Sequence, residues 1–166
     1  ASGDNNITVP AGVTLLDLDG FNVSASKIAS LKTQGIYTVC YINAGSYEDF
    51  RSDSSLYPAY LKIHYDNAWD EWFLDVKDVF RPIQPAGTQL INNKWVDANG
   101  APLVGLPTAG ALGPLLKARL QMCANKGFDA LEPDNLQNDE NAGGKVSLQE
   151  QIDFNGWVAD TAHSVG

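Results

Sequence analysis

The sequence predicts an α/β fold built on a parallel sheet, and three observations carry that prediction. Strand-like and helix-like stretches alternate along the chain, the pattern of βα units joined by right-handed crossovers. The first strand-like stretch, "GVTLLDLDG", is a short apolar run bounded by glycines, the signal of a buried strand. Polar residues collect where the strands end: Asp17 and Asp19, Asn43 to Arg51, Asp75, and Glu132 to Asn135. In parallel α/β folds the chemistry sits on the loops at those carboxyl ends. With 166 residues, a single domain spanning 1–166 is expected.

The elements follow in order. After the first strand, "SASKIASLKTQG" places Ile28 and Leu31 at helical spacing and stops at Gly35. "IYTVCYINAGS" is β-branched and aromatic, a second strand. "YEDFRSDSSLYPAYLKI" reads as a loop with a short helical piece, and "EWFLDVK" as a third strand. Residues 82–110 are rich in Pro, Gly and Asn and read as an insertion-like excursion with a hairpin around "VDANGAP". "ALGPLLKARLQMCANKG" is an amphipathic helix with a glycine stop, and "FDALEPDN" a fourth strand. The last helix opens at Ser147 with Glu150 three residues on, a capping box. The count is four βα units.

Composition narrows the function. The formal net charge is −9 and the pI about 4.4, which argues against nucleic acid, whose phosphates need clustered Lys and Arg. An acidic surface suits a neutral or cationic ligand, although solubility alone also accounts for it. No apolar run approaches the ~18 residues of a membrane span, so no membrane partner is expected. The opening "ASGDNN" suits a processed N-terminus or a cloning boundary. Four Trp, six Tyr and six Phe with few Lys match secreted carbohydrate-active proteins. Cys40 and Cys123 have no metal-ligand spacing; they are buried thiols or one bridge, with thiols the preferred reading. No metal or other cofactor is expected, because the two His and two Cys stand at unrelated positions.

Four carboxylate-bearing segments compete for the chemistry. "LLDLDG" looks like the opening of a haloacid-dehalogenase-type phosphatase, with Asp17 as nucleophile and Asp19 as acid/base around Mg²⁺. Phe21 stands where that motif carries Thr, and no later acidic pair follows the fourth strand. "ALEPDN" sets Glu132 and Asp134 on one side of an extended strand. Close carboxylates split their pKa values into an acid and a base; a capped surface turn is the plain alternative. Asp75 interrupts the apolar "EWFLDVK", so it is either partnered, functional or a cap. "YINAGSYEDFR" offers Asn43, Ser46, Glu48 and Arg51 to a polyhydroxylated ligand, or simply a Glu48–Arg51 pair. Several strand-end carboxylates with Tyr41, Tyr47, Tyr65, Trp69 and Trp72 nearby suit glycoside hydrolysis, in which two carboxyl groups act and aromatic faces stack on sugar rings.

Taken together, "DLDGFNVSAS", "VCYINAGSYEDFR", "EWFLDVK", "KGFDALEPDN" and "QEQIDFNGWVADTAHSVG" resemble, in order, blocks of the endo-α-1,4-polygalactosaminidases, glycoside hydrolase family 114. The resemblance implies a TIM-barrel-type fold and endo-hydrolysis of weakly acetylated α-1,4-linked galactosamine polymers, which are polycations. It implies catalysis by Asp75 as nucleophile and Glu132 as general acid/base, with retention of configuration. Asp17, Asp19, Tyr41, Ser46, Glu48, Asp134 and Asn135 would line the sugar subsites. The family carries a Trp-rich strand before the first block and further strands after the last. A TIM barrel takes ~250 residues, so four units make about half a barrel. Half a barrel leaves three states open: one piece of a split barrel completed by a second chain, a self-associating half, or a stand-alone remnant. The expectation is therefore a secreted galactosamine-polysaccharide hydrolase. The alternatives are a non-catalytic carbohydrate-binding or assembly module and, more remotely, the Mg²⁺ phosphatase.

Overall fold

Leu15–Asp19 (β1), Tyr37–Asn43 (β2) and, much later, Ala130–Asp134 (β8) are the strands on which the computed structural model is built. The structure describes residues 4, 7–81, 87–91, 94–103 and 110–166. Between those strands come α1 (Ala25–Thr33), β3 (Ser46–Tyr47), β4 (Lys62–Asp66), β5 (Glu71–Leu74), β6 (Gln89–Ile91), β7 (Lys94–Val96) and α2 (Leu112–Lys126). The chain closes with α3 (Asn138–Asn141) and α4 (Leu148–Val165). Single 3₁₀ segments occupy Ser54–Leu56, Ala59–Leu61 and Val76–Phe80.

The parallel sheet has the order β1-β2-β8, with Asp17 opposite Val39, Asp19 opposite Tyr41, Tyr41 opposite Glu132 and Asn43 opposite Asp134. Because strand side chains alternate, one face carries Leu16, Leu18, Cys40, Ile42 and Leu131. Ile28 and Leu31 of α1 and Leu120 of α2 pack on it, and Ala162 of α4 joins the cluster. The opposite face carries Leu15, Asp17, Tyr37 and Glu132, all exposed. Among the described residues the outer edges of β1 and β8 pair with no further strand.

Local chemistry explains the helix ends. Ser24 Oγ accepts from Lys27 N–H at the start of α1, and the capping box predicted at Ser147 and Glu150 is present on α4. The first residue positions of α2 hold no capping side chain of their own. Asp78, fully buried, reaches across to accept from Ala111 N–H at 2.7 Å and Leu112 N–H at 2.8 Å. Gly127 ends α2 in the left-handed region at φ 84°.

Two expectations need correction. "EWFLDVK" does form a strand, but β5 runs antiparallel between β3 and β4 in a sheet of its own, order β3-β5-β4. A parallel neighbour needs a crossover of a dozen or more residues. Here only residues 67–70 separate β4 from β5, and Asp70 at φ 55° closes the turn. The parallel sheet therefore has three strands, not four. Cys40 and Cys123 are not free thiols: they form a disulfide that ties β2 to α2. Gly20 makes room for it, since a Cβ there would lie 2.5 Å from Cys40 Sγ.

The expected hairpin at "VDANGAP" appears as a Val96–Pro102 bridge whose turn is held by Asp97 Oδ1, which accepts from Asn99 and Ala101 N–H. A second hairpin, β6–β7, precedes it. Residues 82–86, 92–93 and 104–109 of the predicted excursion lie outside the described residues.

Candidate active site

The carboxyl ends of β1, β2 and β8 bring their polar residues to one end of the sheet, as the order of the strands dictates. Asp17 and Glu132 stand on the open face, on the two strands that flank β2 and two residues apart in register. Crowding by the sheet, followed by the hydrogen bond and negative charge of Glu132, pushes the Asp17 carboxyl up to about 6. Asp17 remains solvent-accessible, so this is local desolvation rather than full burial.

Asp19 and Glu48 converge on Arg51. The buried guanidinium donates to Asp19 Oδ2 at 2.6 Å and to both Glu48 oxygens at 2.8–2.9 Å, with its plane against Phe21 and Phe50. Bidentate pairing of this kind fixes both partners. Arg119 repeats the arrangement one layer lower. It pairs twice with Asp53 and donates to the Asn43 carbonyl at 2.6 Å. Ser46 is also fully engaged: its hydroxyl donates to Glu71 at 2.6 Å and accepts from Asn43 and Asn135.

Tyr41 donates its hydroxyl to Asp134 Oδ2 at 2.6 Å. Burial and then the Asp134 carboxylate raise its pKa, so the phenol stays a donor. Asn135 sits at φ 60°, bending the chain out of β8. The bend fits only against glycine, because a Cβ on Gly45 would lie 1.8 Å from the Asn135 carbonyl oxygen.

Above these groups opens a cleft of about 790 Å³, with the β4–β5 hairpin on one side and the β8–α3 loop on the other. Glu48, Asp49, Asp66, Asp70, Glu71 and Asp134 line it, and among the described residues its lining contains no Lys or Arg. Tyr41, Tyr47, Tyr65, Trp69 and Trp72 supply aromatic surface. Of the residues predicted from sequence, Tyr41, Glu48, Asp134 and Asn135 line the cleft. Ser46 is buried and braces it.

Asp75 lies just past β5. It is buried, with Lys77 Nζ at 3.7 Å and Arg81 Nη2 at 3.5 Å. Its Oδ1 has no hydrogen-bond donor among the described residues. Neither Asp75 nor Glu132 is in the cleft lining, and among the described residues no hydrogen bond or ion pair joins the two. Asp66, Asp70 and Glu71 escaped the sequence reading because residues 47–63 read as a loop, which hid the hairpin. The close spacing of acids and tryptophans in "WDEW" was the available signal.

The model of glycoside-hydrolase family GH114 matches residues 2–86 and 88–166. The chain belongs to family GH114. The resemblance seen in the sequence blocks is thereby upheld, and with it the phosphatase reading of Asp17 and Asp19 is set aside. The fold of this GH114 chain is also that of a solved structure, Aspergillus fumigatus Ega3 in complex with galactosamine. The TM-score is 0.71 and the identity 23% over 96% of the present chain. The match covers 52% of the Ega3 chain, so the GH114 chain spans about half of that relative's length. No curated protein matches it.

Proposed function

We propose that this chain is a secreted glycoside-hydrolase unit, spanning 1–166, that cleaves α-1,4-linked galactosamine polysaccharide. The observation that carries the proposal is the acidic, aromatic-walled cleft at the carboxyl ends of the parallel strands in a GH114 chain. A polymer of protonated amino sugars meets carboxylates there on every side and no fixed cation in the lining. The Ega3 relative binds galactosamine, which favours the same sugar here.

On this reading Glu132 and Asp75, the pair the family resemblance implies, act on a sugar that extends beyond the cleft lining: Glu132 protonates the glycosidic oxygen and Asp75 attacks the anomeric carbon. Water then releases the covalent glycosyl intermediate with Glu132 as base, so configuration is retained. Asp17, its carboxyl pKa raised by desolvation and by the neighbouring Glu132, stands beside the acid/base. Asp19, through Arg51, and Ser46, through Glu71 and Asn135, keep the subsite walls in place, while Tyr41, Glu48, Asp134 and Asn135 face the sugar. The disulfide supports an oxidising, extracellular setting. No helix of the described residues is long and apolar enough to cross a membrane.

The three parallel strands are read as part of a TIM-barrel-type sheet. Its exposed inner face and the β1 and β8 edges, unpaired among the described residues, favour a second reading, in which the chain binds sugar and becomes active only with a second chain or a second copy. The experiment that decides is incubation of the purified chain with de-N-acetylated α-1,4-galactosaminan, following new reducing ends. Release from this polymer and not from its fully N-acetylated form supports hydrolysis of a cationic substrate. Binding without release supports the second reading.

A further inference from the structure

The β4–β5 hairpin does work that the core does not require. Its base is anchored, with Phe73 and Leu74 buried in the largest hydrophobic cluster and Glu71 held by the Ser46 hydroxyl. Its tip is different. Trp69 is 78% exposed, belongs to no hydrophobic cluster of the described residues, and lines the cleft. Water contact over a tryptophan ring forfeits much of the stabilisation that burying a large apolar side chain returns. A lone exposed apolar residue needs no explanation. Here, however, three aromatic residues of one hairpin line the same cleft.

The tip is also fixed in place. Tyr65 and Trp72 are cross-strand partners whose rings lie 5.2 Å apart at 51°, a geometry favoured for aromatic pairs. The Tyr65 hydroxyl donates to Asp70, and Asp66 Oδ1 accepts from Ala68 N–H at 2.7 Å. The turn that presents Trp69 is thus held by its own side chains before any ligand arrives, which lowers the entropic cost of binding. Facing it across the cleft are amide groups of Asn135, Gln137 and Asn141.

We infer that this hairpin is a sugar-stacking arm: Trp69 is the platform for one ring of an amino-sugar oligomer, backed by the Tyr65–Trp72 pair. Asp66 and Asp70 meet the ammonium groups, and the opposing amides meet the hydroxyls. The inference deepens the proposed function and rests on its substrate class. A sugar ring offers an apolar C–H face for an indole to cover, whereas its ammonium substituents require carboxylates at the rim. Both kinds of group occur within five successive residues, Asp66 to Asp70.

The test measures binding of de-N-acetylated α-1,4-galactosamine oligosaccharides by calorimetry and tryptophan fluorescence, without reference to cleavage. Wild type should bind with a blue shift of its emission. Trp69→Ala should weaken binding about tenfold or more and lose most of that shift, Trp69→Phe should restore most of the affinity, and added salt should weaken all three. Unchanged affinity in Trp69→Ala, a Phe variant as weak as Ala, or no binding by wild type would each overturn the inference. Wild type that binds normally yet releases no reducing ends sinks the hydrolase reading while leaving the arm intact. Wild type that cleaves, beside a Trp69→Ala that binds equally well, does the reverse. Tighter binding to a protein surface than to the oligosaccharide would also contradict the inference.

Discussion

Asp17 is the residue whose chemistry changed most between sequence and structure. As part of "LDLDG" it reads as a nucleophile or a subsite wall; in the fold it is a neighbour of Glu132 on the open sheet face, its pKa raised by desolvation and by that carboxylate. Its folded pKa of about 6 lies above the ordinary aspartate value of 3.8, so the folded state holds the Asp17 proton more tightly than the unfolded chain. The stability this confers is complete below about pH 3.8 and is lost as pH rises through about 6. The difference in unfolding free energy between wild type and Asp17→Asn should therefore move in wild type's disfavour across that window. Urea denaturation at a series of pH values measures it, and a pH-independent difference would be inconsistent with the pairing. Arg51 makes the second residue-level case. Removing a buried cation that satisfies Glu48 and Asp19 leaves those acids unpaired, so Arg51→Met should cost about 3 kcal/mol or more. The check is the midpoint of denaturant unfolding.

At the scale of elements, the disulfide and the hairpin teach opposite lessons. The disulfide could not be read from spacing, because only folding brings β2 and α2 together across a sequence separation of 83. Closing a loop of that length should contribute about 4 kcal/mol. A Cys40→Ser, Cys123→Ser double variant should unfold at correspondingly lower denaturant, and wild type under reducing conditions should match it. The β4–β5 hairpin was legible in principle: "KIHYD", a four-residue turn and "EWFL" form a compact pattern. Its antiparallel sense is harder to read, because "EWFLDVK" also fits the βα alternation as a third strand after a loop with a short helical piece. The helices fared better. Ser147 with Glu150 and the glycine stop at Gly127 are legible in the sequence, whereas the start of α2 depends on Asp78 from a distant segment and leaves no local mark.

For the whole molecule, alternation and the conspicuous strand-end acids were enough to place the site at one end of a parallel sheet. The same-face relation of Asp17, Tyr41 and Glu132 followed from period-two geometry once the register was known. What sequence could not supply was the partition of the acids. Asp19 and Glu48 are bound up with Arg51, six carboxylates including Glu48 line an open cleft, and Asp75 lies buried between Lys77 and Arg81. That partition depends on packing between segments far apart in the chain. It also concentrates six of the acidic residues on one cleft, the surface on which the proposed cationic substrate would lie. The most direct measurement is mass spectrometry of oligosaccharides formed from de-N-acetylated α-1,4-galactosaminan by wild type, Asp75→Asn and Glu132→Gln, each confirmed folded. The account predicts a ladder of galactosamine oligomers from wild type and at least a hundredfold less from either variant. Full activity in either variant, or intact polymer with all three proteins, would contradict it.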